Sequence, residues 1–363
     1  MFDNIGFSKI DDFRIYQASR ESLALAERFI AEGKEANREF LKNHKTIKPK
    51  LPISGSFIYA HPANYRGRPT LNYTVQDWVA LLRELKDTGM NTVIFQACAW
   101  LELETAFYPS ENFRNFKIWN VIEPMLEAAG MEKMTVFMGG MGSATGWKEI
   151  FEKKTVDDEK NLHIRCYREL IKKYEKSFHG FYFAPETIYM GKRDKSWEFT
   201  MNNLYREILS EIKNAAPGKA ILLSPGTRYY EGREDDFCQS WLALLKNVPL
   251  DIMAPQDSIG TCLNNLQFAS KTYPIWKKIC DEAKIKFWSN IEIFERKDKI
   301  ILEDNDYSTP ADYRKVYAQM EVAEKYAEKL ICWEAPYYLS EKYAGETARQ
   351  LKEKLTLLSR TEN

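Results

Sequence analysis

Scarcity narrows this 363-residue chain before any motif is sought. Histidine occurs only at His44, His61, His163 and His179, so a multi-histidine metal cage has little to draw on. The six cysteines (Cys98, Cys166, Cys238, Cys262, Cys280 and Cys332) form no CxxC and no close pair. That spacing speaks against the common zinc and dithiol motifs and suits buried thiols in a reducing compartment. Neither sign of charge is in excess, since Lys plus Arg and Asp plus Glu each total 52 and the formal net charge is +0. No whole-chain field would therefore draw in nucleic acid or an anionic membrane. No apolar stretch approaches the ~18 residues of a membrane span. The opening MFDNIGFSKIDDFRIYQ carries acids where a signal peptide has a basic segment. The chain is expected to be cytoplasmic unless an export signal has been removed, and to meet a neutral partner. Patterns for dinucleotide (GxGxxG), P-loop and HExxH chemistry are missing as well. No cofactor is expected, and the oligomeric state is open.

What is present is a recurrence. Eight short apolar runs end abruptly in polar and aromatic residues, and a helical pattern follows each. They are GSFIYAHPAN from Gly55, NTVIFQACAW from Asn91, MTVFMGGMGS from Met134, HGFYFAPET from His179, AILLSPGTRYY from Ala220, DIMAPQDSIG from Asp251, KFWSNIEIF from Lys286 and LICWEAPYY from Leu330. Runs this short, rich in Val, Ile, Phe and Tyr, read as strands buried on both faces. Eight strand-helix units predict an α/β fold of the (β/α)8 barrel type, with its chemistry where the strands end. In the helix TVQDWVALLRELKDTG, Thr74 is placed to cap, Trp78, Leu81, Leu82 and Leu85 form the apolar stripe, and Gly89 stops the run. Residues 1–47 have no strand of their own and form a predicted N-terminal helical extension, with Leu23, Ala26, Phe29 and Ile30 as its packing face. The catalytic barrel domain is assigned to residues 48–363.

Two strand ends carry a carboxylate in phase with the strand. Tyr182, Ala184 and Glu186 share one face of the fourth run, and Trp288, Asn290 and Glu292 share one face of the seventh. Strands four and seven lie across a barrel mouth, where two carboxyl groups can bracket one glycosidic bond. One protonates the leaving oxygen and the other attacks the sugar or activates water. Either one alone reads more readily as a strand-end ion pair; the two together point to glycoside hydrolysis. Other strand ends supply candidate sugar contacts: Gln96, Gln256, Asp257 and Glu334, with Trp100, Tyr229, Trp288 and Trp333 as aromatic platforms and Asn290 between them. Asp257 is also a third candidate acid or a loop brace, and His61 either meets substrate or caps a turn. A metal site from His61, Glu186, Asp257 and Glu292 is chemically conceivable, but no metal is assigned.

These residues resemble a family. Glu186 and Glu292 look like the acid/base and nucleophile placements of clan A glycoside hydrolases, which are retaining (β/α)8 enzymes. The segments WVALLRELKDTGMNTVIFQ, GFYFAPETIY, DIMAPQDSIG and CWEAPYYLS resemble the glycoside-hydrolase-like barrels grouped as domain of unknown function 4434, over roughly residues 50 to 345. Pro185 stands where the clan pattern has an Asn before the acid. The resemblance implies a glycosidase acting on a carbohydrate, an oligosaccharide or small glycoside. Glu186 would be its acid/base and Glu292 its nucleophile, roughly 5 to 5.5 Å apart. Glu292 is expected to be held ionised by hydrogen bonds and Glu186 to have a raised pKa. The alternatives are a non-catalytic glycan-binding barrel and a metal-dependent sugar isomerase or lyase.

Overall fold

A computed structural model describes residues 20–61, 70–101, 103–142, 153–185, 195–228, 232–298 and 308–360. Eight parallel strands close on themselves: β1 (Ile53–Ile58), β2 (Thr92–Phe95), β3 (Thr135–Gly139), β4 (Gly180–Phe183), β5 (Ala220–Leu223), β6 (Ile252–Met253), β7 (Lys286–Glu292) and β8 (Lys329–Trp333). Each coincides with one of the eight runs, β1 beginning two residues and β8 one residue ahead of its run, and they follow in chain order around the barrel. Outside it lie α1 (Arg20–Asn43), α2 (Val75–Asp87), α3 (Ile122–Met131), α4 (Lys153–Tyr174), α5 (Lys195–Ala215), α6 (Glu234–Leu245), α7 (Leu266–Ala283), α8 (Tyr313–Ala323), α9 (Ala335–Tyr338) and α10 (Glu341–Ser359). This is the (β/α)8 barrel with an N-terminal helix.

Local chemistry fixes the helix ends. Thr74 and Asp77 form a reciprocal capping box on α2, with the Asp77 N–H donating to Thr74 Oγ1 at 3.3 Å and the Thr74 N–H to Asp77 Oδ2 at 3.0 Å. Buried Trp78, Val79, Leu82 and Leu85 then face the barrel. Filling such a stripe contributes about 1.5–3 kcal/mol for each large side chain. Helix α8 ends at Ala323, earlier than the pattern through Lys329 predicts, because a tight turn through Glu324–Ala327 leads into β8.

In-register residues on parallel neighbours point to the same side of the sheet. Gly55 pairs with Thr92 and Phe57 with Ile94, Ile94 with Phe137, Phe137 with Gly180, and Tyr182 with Leu222. This set faces the barrel axis. Phe57 meets Tyr182 and Trp333 there, at ring-centroid separations of 5.0 and 5.4 Å. The same register carries Trp288, Asn290 and Glu292 inward, opposite Lys329, Ile331 and Trp333. Four accessory strands, Ala99–Trp100, Thr105–Ala106, Lys117–Ile118 and Met141–Gly142, form a small sheet beside the ends of β2 and β3, which the eightfold pattern did not anticipate.

Helix α1 packs against α7 and α8. Its inward stripe is Ile30, Gly33 and Asn37, at helical spacing. Ile30 is buried and Ala26 half-buried, but Phe29 is 42% exposed, because the next residue along a helix lies about 100° round the axis. The Leu23 side chain lies outside the described residues. Asn37 is buried and its Oδ1 accepts the Leu266 N–H of α7 at 2.9 Å. The connector after α1 is tied down where Glu324 Oε2 accepts the Lys50 and Leu51 N–H groups at 2.6 and 2.9 Å.

Candidate active site

The C-terminal ends of the strands bring together most of the residues singled out above. Glu186 and Tyr229 lie outside the described residues. Glu292, the last residue of β7, is buried at the inner face of the mouth. Its carboxylate Oε2 accepts the Thr261 N–H at 2.7 Å, from the loop between β6 and α7. Gly260 makes this approach possible: a Cβ there would sit 2.6 Å from the Phe294 carbonyl oxygen and 2.9 Å from Glu292 Cβ.

Around it, Gln256 is bridged to Asn290, and its Nε2 donates to the Ser224 carbonyl at 3.3 Å. Asn290 Nδ2 donates to Ser224 Oγ at 3.1 Å. Gln96 follows β2 on the inner face, its N–H donating to the Ile58 carbonyl at 2.9 Å. Trp100 closes one side from the accessory sheet, 5.8 Å from the Tyr59 ring; Tyr59 in turn lies 5.3 Å from Trp333 and 3.9 Å from His61. Three polar atoms in this wall are buried without a hydrogen-bond partner among the described residues: Gln96 Oε1, Trp100 Nε1 and Asn290 Oδ1. Buried polar atoms usually have a partner, and these two acceptors and one donor can each take one further hydrogen bond.

Three candidates sit elsewhere. Trp288 shares the inner face but is four residues before Glu292, hence about 13 Å deeper at the rise of a strand. It packs edge-on against Phe137 at 5.8 Å with Lys329 Nζ 4.9 Å from its ring, so it belongs to the barrel floor. Burial pushes the Lys329 pKa down to about 8. Glu334 is buried as the N-cap residue of α9, on the outward phase of Cys332. Ser56, on that same outward side, accepts the Ala335 N–H at 2.8 Å. Asp257 turns from the axis because its neighbour Gln256 takes the inward position. Asp257 Oδ2 accepts from Gln319 Nε2 at 2.6 Å, and Oδ1 accepts the Ile259 and Glu292 N–H groups at 3.2 and 3.3 Å.

Sequence patterning missed Thr261, Lys315 and Gln319. Lys315 and Gln319 are four apart on α8 and both buried, so they share its inward face. Two polar residues at that spacing amid Val316, Tyr317 and Met320 were the available signal. Lys315 Nζ donates to the Phe294 carbonyl at 3.2 Å, and Gln319 Nε2 also reaches the Glu292 carbonyl at 3.0 Å.

The charge balance differs from the sequence expectation. Burial raises the Glu292 pKa, and the nearby Asp257 charge raises it further; the Thr261 N–H and the charges of Arg296 and Lys315 oppose this incompletely. Burial likewise raises Asp257, against Gln319, two backbone N–H groups and Lys315. Glu292 thus leans toward its protonated form, because one good hydrogen bond does not replace the hydration of a carboxylate. Among the described residues, no three His, Cys, Asp or Glu side chains are grouped to hold a metal ion, and no helix is long and apolar enough to cross a membrane.

Solved structures with the same fold include a presumptive alpha-L-fucosidase from Bacteroides thetaiotaomicron, 19% identical with a TM-score of 0.70, the match covering 88% of this chain and 97% of that one. An endo-beta-1,4-mannanase from Thermotoga petrophila is 12% identical with a TM-score of 0.51, covering 89% and 79%. A GH113 beta-1,4-mannanase is 10% identical with a TM-score of 0.55, covering 86% and 99%. At these identities the likeness is one of fold. No curated protein sequence matches. The profile of one family matches residues 53–342, from the first barrel strand to the start of α10, and the chain therefore belongs to the family described as domain of unknown function (DUF4434).

Proposed function

We propose that this chain is a glycoside hydrolase acting on an oligosaccharide or small glycoside through a pair of glutamates, Glu186 and Glu292, with retention of configuration. The observation that carries the proposal is the setting of Glu292. A buried carboxyl lies at the strand-end mouth of a (β/α)8 barrel, beside Tyr59, Trp100 and Trp333, with the open hydrogen-bonding positions of Gln96, Trp100 and Asn290 in the same wall. Sugars present apolar C–H faces and a rim of hydroxyls that both donate and accept, which suits rings bordered by two acceptors and one donor. The fold neighbours described as mannanases and as a presumptive fucosidase support the same substrate class.

By strand position, Glu186 is assigned as general acid/base and Glu292 as nucleophile. A retaining pair begins its cycle with one proton between its two members. The burial of Glu292 favours a second assignment, in which Glu292 holds that proton and acts as the acid while Glu186 attacks. A screen of aryl glycosides and natural oligosaccharides, run on wild type and on the Glu186→Ala and Glu292→Ala variants, separates the two. The acid/base variant retains turnover of activated aryl glycosides and is rescued by azide with retention; the nucleophile variant loses both substrates and yields a glycosyl azide of inverted configuration. Once a substrate is found, wild-type rates in both variants would remove the pair from the chemistry.

A further inference from the structure

Behind the mouth lies a group of buried charges that hydrolysis itself does not call for. Asp257, Glu292, Lys315 and Gln319 are each at most 3% exposed. The fully buried ionisable groups, two carboxyls and one ammonium, leave one negative charge in excess if all are ionised, which the half-buried Arg296 offsets only in part. Isolated buried charge is expensive, so the neutral arrangement, with one proton on the carboxyl pair, is favoured.

Hydrogen bonding says which member holds it. Asp257 accepts from three N–H donors, one on Oδ2 and two on Oδ1, which is the environment of an anion. Glu292 has one good donor, the Thr261 N–H on Oε2. Its Oε1 lies 3.4 Å from Thr261 Oγ1, but that hydroxyl is also 3.1 Å from the Ser258 carbonyl, which can only accept. One hydroxyl hydrogen cannot serve both oxygens. With the hydrogen on the Ser258 side, Thr261 Oγ1 turns a lone pair to Glu292, and a proton on Oε1 completes the contact.

We propose that Asp257, Lys315 and Gln319 are positioning residues that decide when Glu292 holds its proton and when it releases it. Gln319 spans the pair, donating to the Asp257 carboxylate and to the Glu292 carbonyl, so the two acids are set by one side chain. Lys315, anchored on the Phe294 carbonyl, supplies the positive charge that makes release to the ionised form possible. Among the described residues the other charged group facing Glu292 is Arg296, from the strand segment Phe294–Arg296 that follows β7. The Cys262 thiol and the Tyr273 hydroxyl also feel the Glu292 charge, from the loop before α7 and from α7 itself. The catalytic meaning of the network rests on the proposed role of Glu292, whereas the proton itself can be observed without any substrate.

The test is a pH titration of the full-length protein carrying 13C at its Asp and Glu side-chain carboxyls. The signal lost in Glu292→Gln identifies Glu292. It is expected to titrate above the ordinary carboxylate range, to fall by about one to two pH units in Asp257→Asn and to rise in Lys315→Met, with Lys315→Arg restoring it. Asp257→Asn keeps the shape and removes the charge; the Gln319 amide keeps its bond to the Glu292 carbonyl and gives up the one to residue 257. If Lys315→Met fails to fold, Asp257→Asn and Lys315→Arg decide the matter. A Glu292 signal that titrates as an ordinary carboxyl, or that stays in place in Asp257→Asn, overturns the proposal. Shifts as expected without turnover of any glycoside would uphold the network and count against glycoside hydrolysis.

Discussion

Replacing Glu292 by Gln should make the folded protein more stable, and increasingly so as the pH rises. Gln reproduces the protonated acid, since its Oε1 can accept the Thr261 N–H while its amide donates to Thr261 Oγ1. Below the ordinary value of 4.5, folded and unfolded wild-type chains both hold the proton and the two proteins should differ little. Between 4.5 and the folded value, raised to about 8, the unfolded chain releases its proton while the folded chain retains it, so wild type loses stability as pH rises through this window. The full interval corresponds to a ceiling of roughly 5 kcal/mol. Asp257, raised to about 6, titrates in both proteins and largely cancels in the difference. With allowance for relaxation around the charge, we expect a gain of about 2–4 kcal/mol at pH 8 and under about 1 kcal/mol at pH 5. In thermal unfolding of a chain this long it is roughly 3–5 °C at the higher pH. Equal melting temperatures at pH 8, or a gain of the same size at both values, would refute the burial of a carboxyl that holds its proton.

Three further outcomes follow from the packing and hydrogen bonding of the loop over Glu292 and of α1. Gly260→Ala forces the new Cβ against the Phe294 carbonyl oxygen at 2.6 Å, and should lower stability by about 1–3 kcal/mol in denaturant unfolding; an unchanged midpoint would mean that the loop over Glu292 is not held as described. For α1, Gly33 abuts Cys262, with a Cβ there 2.7 Å from Cys262 Cβ, and Asn37 accepts a buried N–H of α7. Asn37→Ala should cost about 1–3 kcal/mol, and removal of residues 1–43 should lower the melting temperature and promote aggregation. A truncated protein that unfolds like the full chain would make α1 an appendage.

The sequence by itself determined the barrel and the phase of its strands. Short buried runs alternating with amphipathic helices leave few ways to cover both sheet faces, and a two-residue period carries Glu292 inward once Trp288 and Asn290 are inward. Gln96, Asn290 and Trp333 reached the mouth by the same rule. Phase along one strand does not give depth, which is why Trp288, equally inward, proved to belong to the floor, nor does it give the path of the chain after the strand, where Asp257 turned outward. Only the tertiary structure decided the ionisation of Glu292. Its nearest donor, Thr261, comes from another unit of the barrel, and Lys315 and Gln319 from the helix that follows its own strand, and the energy of a buried carboxyl depends on how completely those separate segments exclude water while replacing so few of its hydrogen bonds.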